Sequence, residues 1–274
     1  MAQAIGSVGQ RTPSGTFSVV IPTLNSEATI SRCLESVRAQ SLEPKEIIVV
    51  DACSTDRTCE ISRHFARVVV ADSSSTRARL IGCEIATGDY ILNLDSDQVL
   101  APDAVRAAFA TTKSIVAFGE VSTGVGIVAR INRLDKATIN RDWERNLDPV
   151  SGFIRPRFYR RDVLLRSFRM IPDHILDIRP SPFADDSLLY WHTQVKPVDI
   201  GFVPDAVLHE EMSQLFGYVR KWRLYGQTAK PYRGTQYSMF ATSRGKRSVR
   251  GIRQLATAPG LLLRVVPFFI GYYL

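Results

Sequence analysis

The chain contains 274 residues, of which 45% are hydrophobic and 23% charged, so it is long and apolar enough to bury a substantial core. This composition excludes a disordered segment and a small domain held together by disulfides. Residues 212–274 contain 11 of the 35 Lys and Arg and no Asp or Glu, which leaves 24 basic and 27 acidic side chains, a net charge of −3, in residues 1–211. The basic excess is therefore confined to the C-terminal end, and the rest of the chain does not have the charge of a nucleic-acid-binding domain.

Short apolar runs alternate with segments of helical period in the first part of the chain. Residues 1–15, rich in Gly, Ser, Gln and Thr, are predicted to form a mobile leader. Strands are predicted at 17–21, 46–51, 68–71 and 90–94, and helices after the caps Asn25 and Ser26, after the caps Ser54 and Asp56, and at 77–86. Short buried strands that alternate with helices are typical of a mostly parallel sheet with helices on both faces, which predicts an α/β fold.

The pattern is less regular beyond residue 103. Further elements are predicted as a strand at 115–121, a helix within 127–145, a loop leading into a short helix at 152–161, an irregular connection at 172–186, a helix at 183–191, a strand at 198–203 and a basic helix at 214–225.

Polar side chains follow three of the first four strands. Ligands of parallel sheets bind at the carboxyl ends of the strands, so Asn25, Asp51, Asp95 and Asp97 are expected to line one crevice. The two carboxylates of Asp95-Ser96-Asp97 suit a Mg²⁺ or Mn²⁺ ion shared with phosphate oxygens. A turn or a helix cap is the alternative interpretation of an isolated Asp-x-Asp.

Four segments in this order resemble the motifs of glycosyltransferase family 2, inverting enzymes with the GT-A fold. The segments are 21–25 (Ile-Pro-Thr-Leu-Asn), 49–58 (Val-Val-Asp-Ala-Cys-Ser-Thr-Asp-Arg-Thr), 78–82 (Ala-Arg-Leu-Ile-Gly) and 88–97 (Gly-Asp-Tyr-Ile-Leu-Asn-Leu-Asp-Ser-Asp). The resemblance is close over 17–105 and looser to about 225. It implies a GT-A catalytic domain at 16–211, with a nucleotide-binding half at 16–105 and an acceptor half at 106–211.

The resemblance implies a binding site for a nucleoside diphosphate sugar and a divalent cation. The implied donor-binding residues are Pro22, Thr23, Leu24, Asn25, Asp51, Arg79, Asp95 and Ser96, and the implied metal ligands are Asp97, Asp95 and His209. Asp51 would contact the nucleobase, although Ala52 replaces the second acid that the family usually has there. Arg79 could instead be a solvated helix residue, and His209 could be structural.

Asp185-Asp186 occupies the place of the family's Glu-Asp pair, in which the second acid is the general base. Repulsion between paired carboxylates raises one pKa and strengthens that base, so Asp186 is expected to deprotonate the acceptor hydroxyl. A helix N-terminus also favours acidic residues, and a phosphate acceptor would need no base. Arg220 and Trp222 are expected to bind a diphosphate or an acceptor sugar.

The segment 212–274 combines basic, apolar and aromatic residues, as expected of a tail bound to an anionic membrane surface. Ordinary packing as C-terminal helices is the alternative. None of the four Cys lies in a C-x-x-C pair and residues 1–10 lack the features of an export signal, so we expect a cytoplasmic protein at the inner face of the cell membrane.

These features predict an inverting transferase that moves a sugar from a UDP- or GDP-linked donor, with Mn²⁺ or Mg²⁺, to a hydroxyl or phosphate of a lipid-linked or glycan acceptor. One alternative is a catalytically silent scaffold of the same fold at a membrane surface. Another is a dinucleotide-dependent oxidoreductase, because residues 124–129 match the pattern G-x-G-x-x-A. The latter pattern belongs after the first strand, whereas here it follows several elements.

Overall fold

The computed structural model describes residues 15–150, 152, 155–210, 214–242 and 258–273. The predicted leader falls outside this part of the chain except for Gly15, as do residues 243–257 of the predicted tail. The described strands are β1 (Phe17–Thr23), β2 (Glu46–Asp51), β3 (Arg67–Val70), β4 (Tyr90–Asn93), β5 (Gln98–Leu100), β6 (Ile115–Thr123), β7 (Pro156–Arg160) and β8 (Ile200–Glu210). The described α-helices are α1 (Ile30–Arg38), α2 (Thr58–Ser62), α3 (Ser75–Ile85), α4 (Ala104–Ala110), α5 (Ile127–Arg141), α6 (Arg161–Arg169), α7 (Asp173–Leu176), α8 (Asp185–Thr193), α9 (Leu215–Thr228) and α10 (Ala258–Tyr273).

The described strands form one sheet in the order β3-β2-β1-β4-β7-β6-β8-β5. The first four neighbours in this order run parallel, as do β6 and β8, which confirms the predicted α/β class. Strand β7 lies antiparallel between β4 and β6, and Leu92 of β4 pairs with Phe158. The start of β7 therefore meets the carboxyl ends of β1, β2 and β4 at the same edge of the sheet.

A glycine sets the distance between α3 and the sheet. A Cβ atom on Gly82 would lie 2.3 Å from Cγ1 of Val20 and 3.3 Å from Cγ2 of Val50, so only glycine allows the helix to lie this close to β1 and β2. Arg79 is one turn earlier on the same face of α3. The close packing at Gly82 thus fixes the position from which Arg79 reaches the edge of the sheet.

Two predicted local structures differ in the folded chain. Helix α1 begins at Ile30, after Thr29, and not at the caps predicted at Asn25 and Ser26. The segment predicted as a loop and short helix at 152–161 contains β7 instead, and α6 starts where β7 ends. The sequence analysis also missed β5 and α4. The differences arise because polar residues in these segments make contacts with distant parts of the chain, which local sequence patterns do not record.

The described part of the predicted tail packs against the domain. Helices α9 and α10 touch through their backbones, since a Cβ on Gly226 or on Gly271 would lie 2.0 Å from a carbonyl oxygen of the other helix. The ring of Phe268 on α10 lies 4.7 Å from that of Phe183, and the hydroxyl of Tyr232 donates to the Phe183 carbonyl at 2.7 Å. Ordinary helix packing thus describes these residues, and no helix within the described ranges has the length and apolarity to span a membrane.

Candidate functional site

Hydrogen bonds join the loops that follow β1 and β2. Asn25, which has a φ of 49°, accepts from the amide of Thr55 at 2.9 Å and donates its own amide proton to Oγ of Ser54 at 2.8 Å. The amide of Ser26 donates to Oγ1 of Thr58 at 2.7 Å. The two loops, which the sequence predicted at one crevice, therefore form a single connected surface.

Asp51 lies beneath this surface and is fully buried. Its carboxylate accepts from the amide and the hydroxyl of Ser54, at 2.7 and 2.6 Å, and from the hydroxyl of Thr23 at 3.0 Å. These bonds order both loops around the carboxylate. The contact of Asp51 with a nucleobase stays a prediction.

A cavity of about 420 Å³ opens beside the same loops, a volume typical of small-molecule sites. Its lining residues are Pro22, Thr23, Leu24, Ala52, Ser73, Ser75, Ala78, Arg179, Pro180 and Ser181. The first three belong to the predicted donor-binding loop, and Leu24 is 52% exposed. The facing wall at 179–181 lies a few residues before α8, and the sequence analysis did not single it out.

A chain of alternating acidic and basic side chains crosses the edge of the sheet. Arg79 donates to Asp185 at 2.5 Å and to Asp95 at 2.6 Å. Arg157 donates to the other oxygen of Asp95 at 3.2 Å and to Glu120 at 2.6 Å. Arg79 and Arg157 are both buried, so their charges are balanced by the carboxylates and not by water.

The chain of ion pairs determines the state of Asp95. Burial raises the pKa of this carboxyl, but the charges of Arg157 and Arg79 outweigh the effect of burial and hold the pKa at about 2. Asp95 is therefore ionised at neutral pH, with both oxygens bound to guanidinium groups. Arg79 connects Asp95 to Asp185, and its predicted contact with the donor stays a prediction. Ser96, between the two predicted metal-binding acids, shares a hydrogen bond of 2.8 Å with Ser26.

Two of the three predicted metal ligands lie together. Nε2 of His209 is 3.2 Å from Oδ2 of Asp97, because Gln98 and His209 are directly paired between β5 and β8. Burial lowers the pKa of His209, but hydrogen bonds to Asp97 and Glu120 prevail and raise it to about 9. Nδ1 of the same ring is 3.2 Å from Nζ of Lys136. The described residues contain no group of three close ligands, so a cation bound by Asp97 and His209 would take its other ligands from a substrate or water.

The adjacent carboxylates of α8 have different surroundings. Asp185 accepts hydrogen bonds from Arg79, from Thr76 at 2.9 Å and from Ser181 at 3.0 Å. The carboxylate of Asp186 accepts none from the described residues. Burial and the charge of Asp185 raise the pKa of Asp186 to about 6. Asp185 thus holds the surrounding side chains through hydrogen bonds, and the carboxylate of Asp186 is available to take a proton.

The residues predicted on α9 do not form one face. Arg220 is exposed, whereas Trp222 packs against the ring of Tyr225 at 5.5 Å. Tyr225 lies within reach of the site's charges, since burial and the charges of Asp185 and Asp95 raise its pKa. Nζ of Lys221 is 5.8 Å from the Tyr225 ring.

Sequence reasoning missed Arg155, Arg157, Glu120 and Lys136. The available signal was the alternation of Arg155 and Arg157 with Pro156 and Phe158, which is compatible with a strand that has a polar face. The carboxylate partners of Arg157 are 37 and 62 residues away in the chain, so the pairing itself was not visible in the sequence.

The fold matches that of glycosyltransferases with the GT-A fold. TarS from Staphylococcus aureus, solved with UDP-GlcNAc, superposes with a TM-score of 0.53 at 18% identity over 94% of this chain and 81% of that one. Glucosyl-3-phosphoglycerate synthase from Mycobacterium tuberculosis, solved with Mn²⁺, UDP-glucose and phosphoglyceric acid, gives 0.55 at 21% identity over 85% and 80%. The mannosyltransferase PcManGT from Pyrobaculum calidifontis, solved with GDP-mannose and Mn²⁺, gives 0.54 at 17% identity over 94% and 84%.

The sequence also matches a family model within this fold. Residues 18–152, slightly less than half of the chain, match the model of glycosyl transferase family 2. A PGL/p-HBAD biosynthesis glycosyltransferase of Mycobacterium tuberculosis is 36% identical over 92 residues, which cover 31% of this chain and 36% of that protein. The chain therefore matches about a third of the length of this relative. The glycine pattern at 124–129, by comparison, follows β6, the sixth strand of the chain, and runs into the first turn of α5.

Proposed function

We propose that this protein transfers a sugar, with inversion, from a UDP- or GDP-linked donor to an acceptor hydroxyl that Asp186 deprotonates. The observation that carries the proposal is the contrast on α8. Asp185 accepts several hydrogen bonds, whereas the neighbouring Asp186 carboxylate accepts none from the described residues and has a pKa raised to about 6. A carboxylate with a pKa near neutrality is well matched to general base catalysis. The free carboxylate argues for this function over a catalytically silent scaffold.

The cavity beside the β1 and β2 loops supports a nucleotide site. Pro22, Thr23 and Leu24 form one wall, and similar structures have been solved with UDP-GlcNAc, UDP-glucose and GDP-mannose. Asp97 and His209 would hold a Mn²⁺ or Mg²⁺ ion. Carboxylate and imidazole ligands both suit Mn²⁺. When bound, such an ion offsets the charge that develops on the departing diphosphate. His209 must release its extra proton to serve as a ligand.

A radiolabelled-donor assay tests this proposal with Mn²⁺ and a panel of UDP- and GDP-sugars. We expect the unaltered protein to transfer labelled sugar to water or to acceptors in a lipid extract. EDTA should abolish this transfer, and added Mn²⁺ should restore it. Asp97→Asn should reduce turnover at least about 100-fold, whereas Asp103→Asn, an exposed acid after β5, should not. Full turnover by Asp97→Asn would refute the metal site, and absence of turnover with every donor would favour the silent scaffold.

We also propose that the acceptor is a lipid-linked or glycan molecule reached at a membrane surface. Of fourteen large hydrophobic side chains that are exposed in the described residues, nine lie at 125–134, 215–224 and 266–273. These segments belong to or adjoin α5, α9 and α10, which contact one another, as in the 3.1 Å hydrogen bond from Tyr218 to Asn132. Exposed apolar side chains beside basic residues are typical of binding to anionic lipid.

Sedimentation with lipid vesicles tests this second proposal. We expect the protein to bind phosphatidylcholine vesicles that contain phosphatidylglycerol and to bind pure phosphatidylcholine weakly. Phe216→Glu, at a side chain that is 80% exposed, should weaken binding, and Met170→Glu, at a side chain that is 58% exposed on another helix, should not. Equal binding by the two variants would refute this surface.

A further inference from the structure

Arg155 differs from the two arginines that lie near it at the edge of the sheet. Arg79 and Arg157 each bind two carboxylates. Arg155 donates from Nη1 to Oγ of Ser187 at 2.8 Å and to the carbonyl of Gly152 at 3.5 Å, and within the described ranges it has no carboxylate partner. Burial outweighs the charges of Asp186, Glu120 and Asp185 and lowers the pKa of Arg155, whereas the pKa of Arg157 is raised by its carboxylate partners despite burial.

The position of Arg155 is set by two elements of the candidate site. The residue immediately precedes β7, whose first residue pairs with Ala117 at the edge where the carboxyl ends of β1 and β4 lie. Its hydrogen bond reaches Ser187, in the first turn of α8 and adjacent to Asp186 in the chain. The guanidinium is therefore held beside the proposed base without an ion pair to it.

Asp186 is the carboxylate whose charge most favours the Arg155 cation, but no carboxylate within the described ranges is hydrogen-bonded to it. A ligand that brings an anionic group into direct contact would therefore stabilise this partly buried guanidinium. Two groups near the start of α8 thus remain free for a ligand, a guanidinium and a carboxylate. A neutral sugar hydroxyl needs only the carboxylate. A molecule with both a hydroxyl and an anionic group can use both, because planar guanidinium groups bind phosphate and carboxylate oxygens in pairs.

We infer that Arg155 is a specificity-determining residue that binds an anionic group, phosphate or carboxylate, on the acceptor while Asp186 faces the acceptor hydroxyl. This inference rests on the proposed function. In the transfer step the acceptor O–H bond breaks and its proton passes to the Asp186 carboxylate. The acceptor oxygen forms a bond to the anomeric carbon, and the bond from that carbon to the diphosphate oxygen breaks, so the nucleoside diphosphate leaves with the electron pair.

Thermal denaturation with small probes separates the acceptor group from the donor group. The donor site is first filled with UDP and Mn²⁺, and glycerol 3-phosphate, glycerate or glycerol is then added. We expect glycerol 3-phosphate or glycerate, but not glycerol, to raise Tm further by about 3 °C in the unaltered protein. The anion that causes the larger rise shows whether the site prefers phosphate or carboxylate. The additional rise should be absent in Arg155→Met, partly restored in Arg155→Lys, and unchanged in Arg166→Met, which alters an exposed arginine on α6.

Three outcomes overturn the inference. A rise that persists in Arg155→Met, or no rise with either anion in the unaltered protein, removes the anionic acceptor. A loss of the UDP-dependent rise in Arg155→Met assigns the residue to the donor. If UDP and Mn²⁺ cause no rise in any variant, the proposed donor is wrong, and the anion titrations without UDP still decide the role of Arg155.

Discussion

Replacing Asp186 by Asn is expected to make the protein more stable while abolishing transfer. Folding raises the pKa of this carboxyl from 3.8 to about 6, so the ionised form is less favourable in the folded state. A shift of roughly two units corresponds to about 3 kcal/mol at neutral pH, since each unit is worth about 1.4 kcal/mol. Asparagine carries no charge, and for a protein of this size the gain corresponds to a rise in Tm of roughly 5–10 °C.

The pH dependence makes this prediction specific. A group whose pKa is raised by folding contributes stability below its unfolded pKa and loses that contribution as pH rises through its folded pKa. The difference in Tm between Asp186→Asn and the unaltered protein should therefore have its full size at pH 7.5, decrease near pH 6 and vanish towards pH 4. Calorimetry at these pH values measures it.

Asp185→Asn provides the matched control. Asp185 binds Arg79, Thr76 and Ser181, so its replacement leaves a buried guanidinium with one carboxylate fewer and should lower the free energy of unfolding by about 3–5 kcal/mol. Both variants should lose transfer, but their stabilities should change in opposite directions. A fall in Tm for Asp186→Asn, or a difference that does not depend on pH, would refute the assignment of different roles to the two acids.

Three further predictions concern the same site. The transfer rate of the unaltered protein should rise between pH 5 and 7 with a midpoint near 6, because Asp186 must be ionised, and a flat profile of kcat/KM would contradict its role as base. Gly82→Ala should lower the free energy of unfolding by about 1–3 kcal/mol in urea titrations, since the new Cβ meets Val20, and an unchanged urea midpoint would show that α3 can move away from the sheet. Arg157→Leu should lower the free energy of unfolding by about 3–5 kcal/mol because it leaves Asp95 and Glu120 without their shared partner. Arg166→Leu in the same titration is the control, and an equal decrease in the two variants would argue against the chain of ion pairs.

The strand-end loops were predictable because their signal is local. Apolar runs end at Asp51 and before Asp95, and parallel strands bring their carboxyl ends to one edge, where Ser26 and Ser96 indeed touch. Strand β7 was not predictable in the same way. A segment that starts with Pro and contains two Arg resembles a loop, and Arg157 is compatible with burial only beside acids from distant parts of the chain.

The division of roles on α8 also lay beyond the sequence. Asp185 and Asp186 are chemically identical neighbours, and repulsion between them predicts that one pKa is raised but not which one. The difference comes from Arg79, Thr76 and Ser181, which lie on other segments and contact only the first acid. The resemblance to family 2 pointed to Asp186 as the base, and the structure adds a physical reason for that choice.

The contacts of Phe183 give the C-terminal segment a part in organising the proposed base. Phe183 lies two residues before Asp185, with its ring against Phe268 of α10 and its carbonyl bound by Tyr232. A version of the protein shortened before residue 258 would retain every residue of the candidate site, yet it would lose the aromatic support directly behind α8. For anyone who trims, tags or fuses this protein, the smallest functional unit is therefore larger than the segment that matches the family.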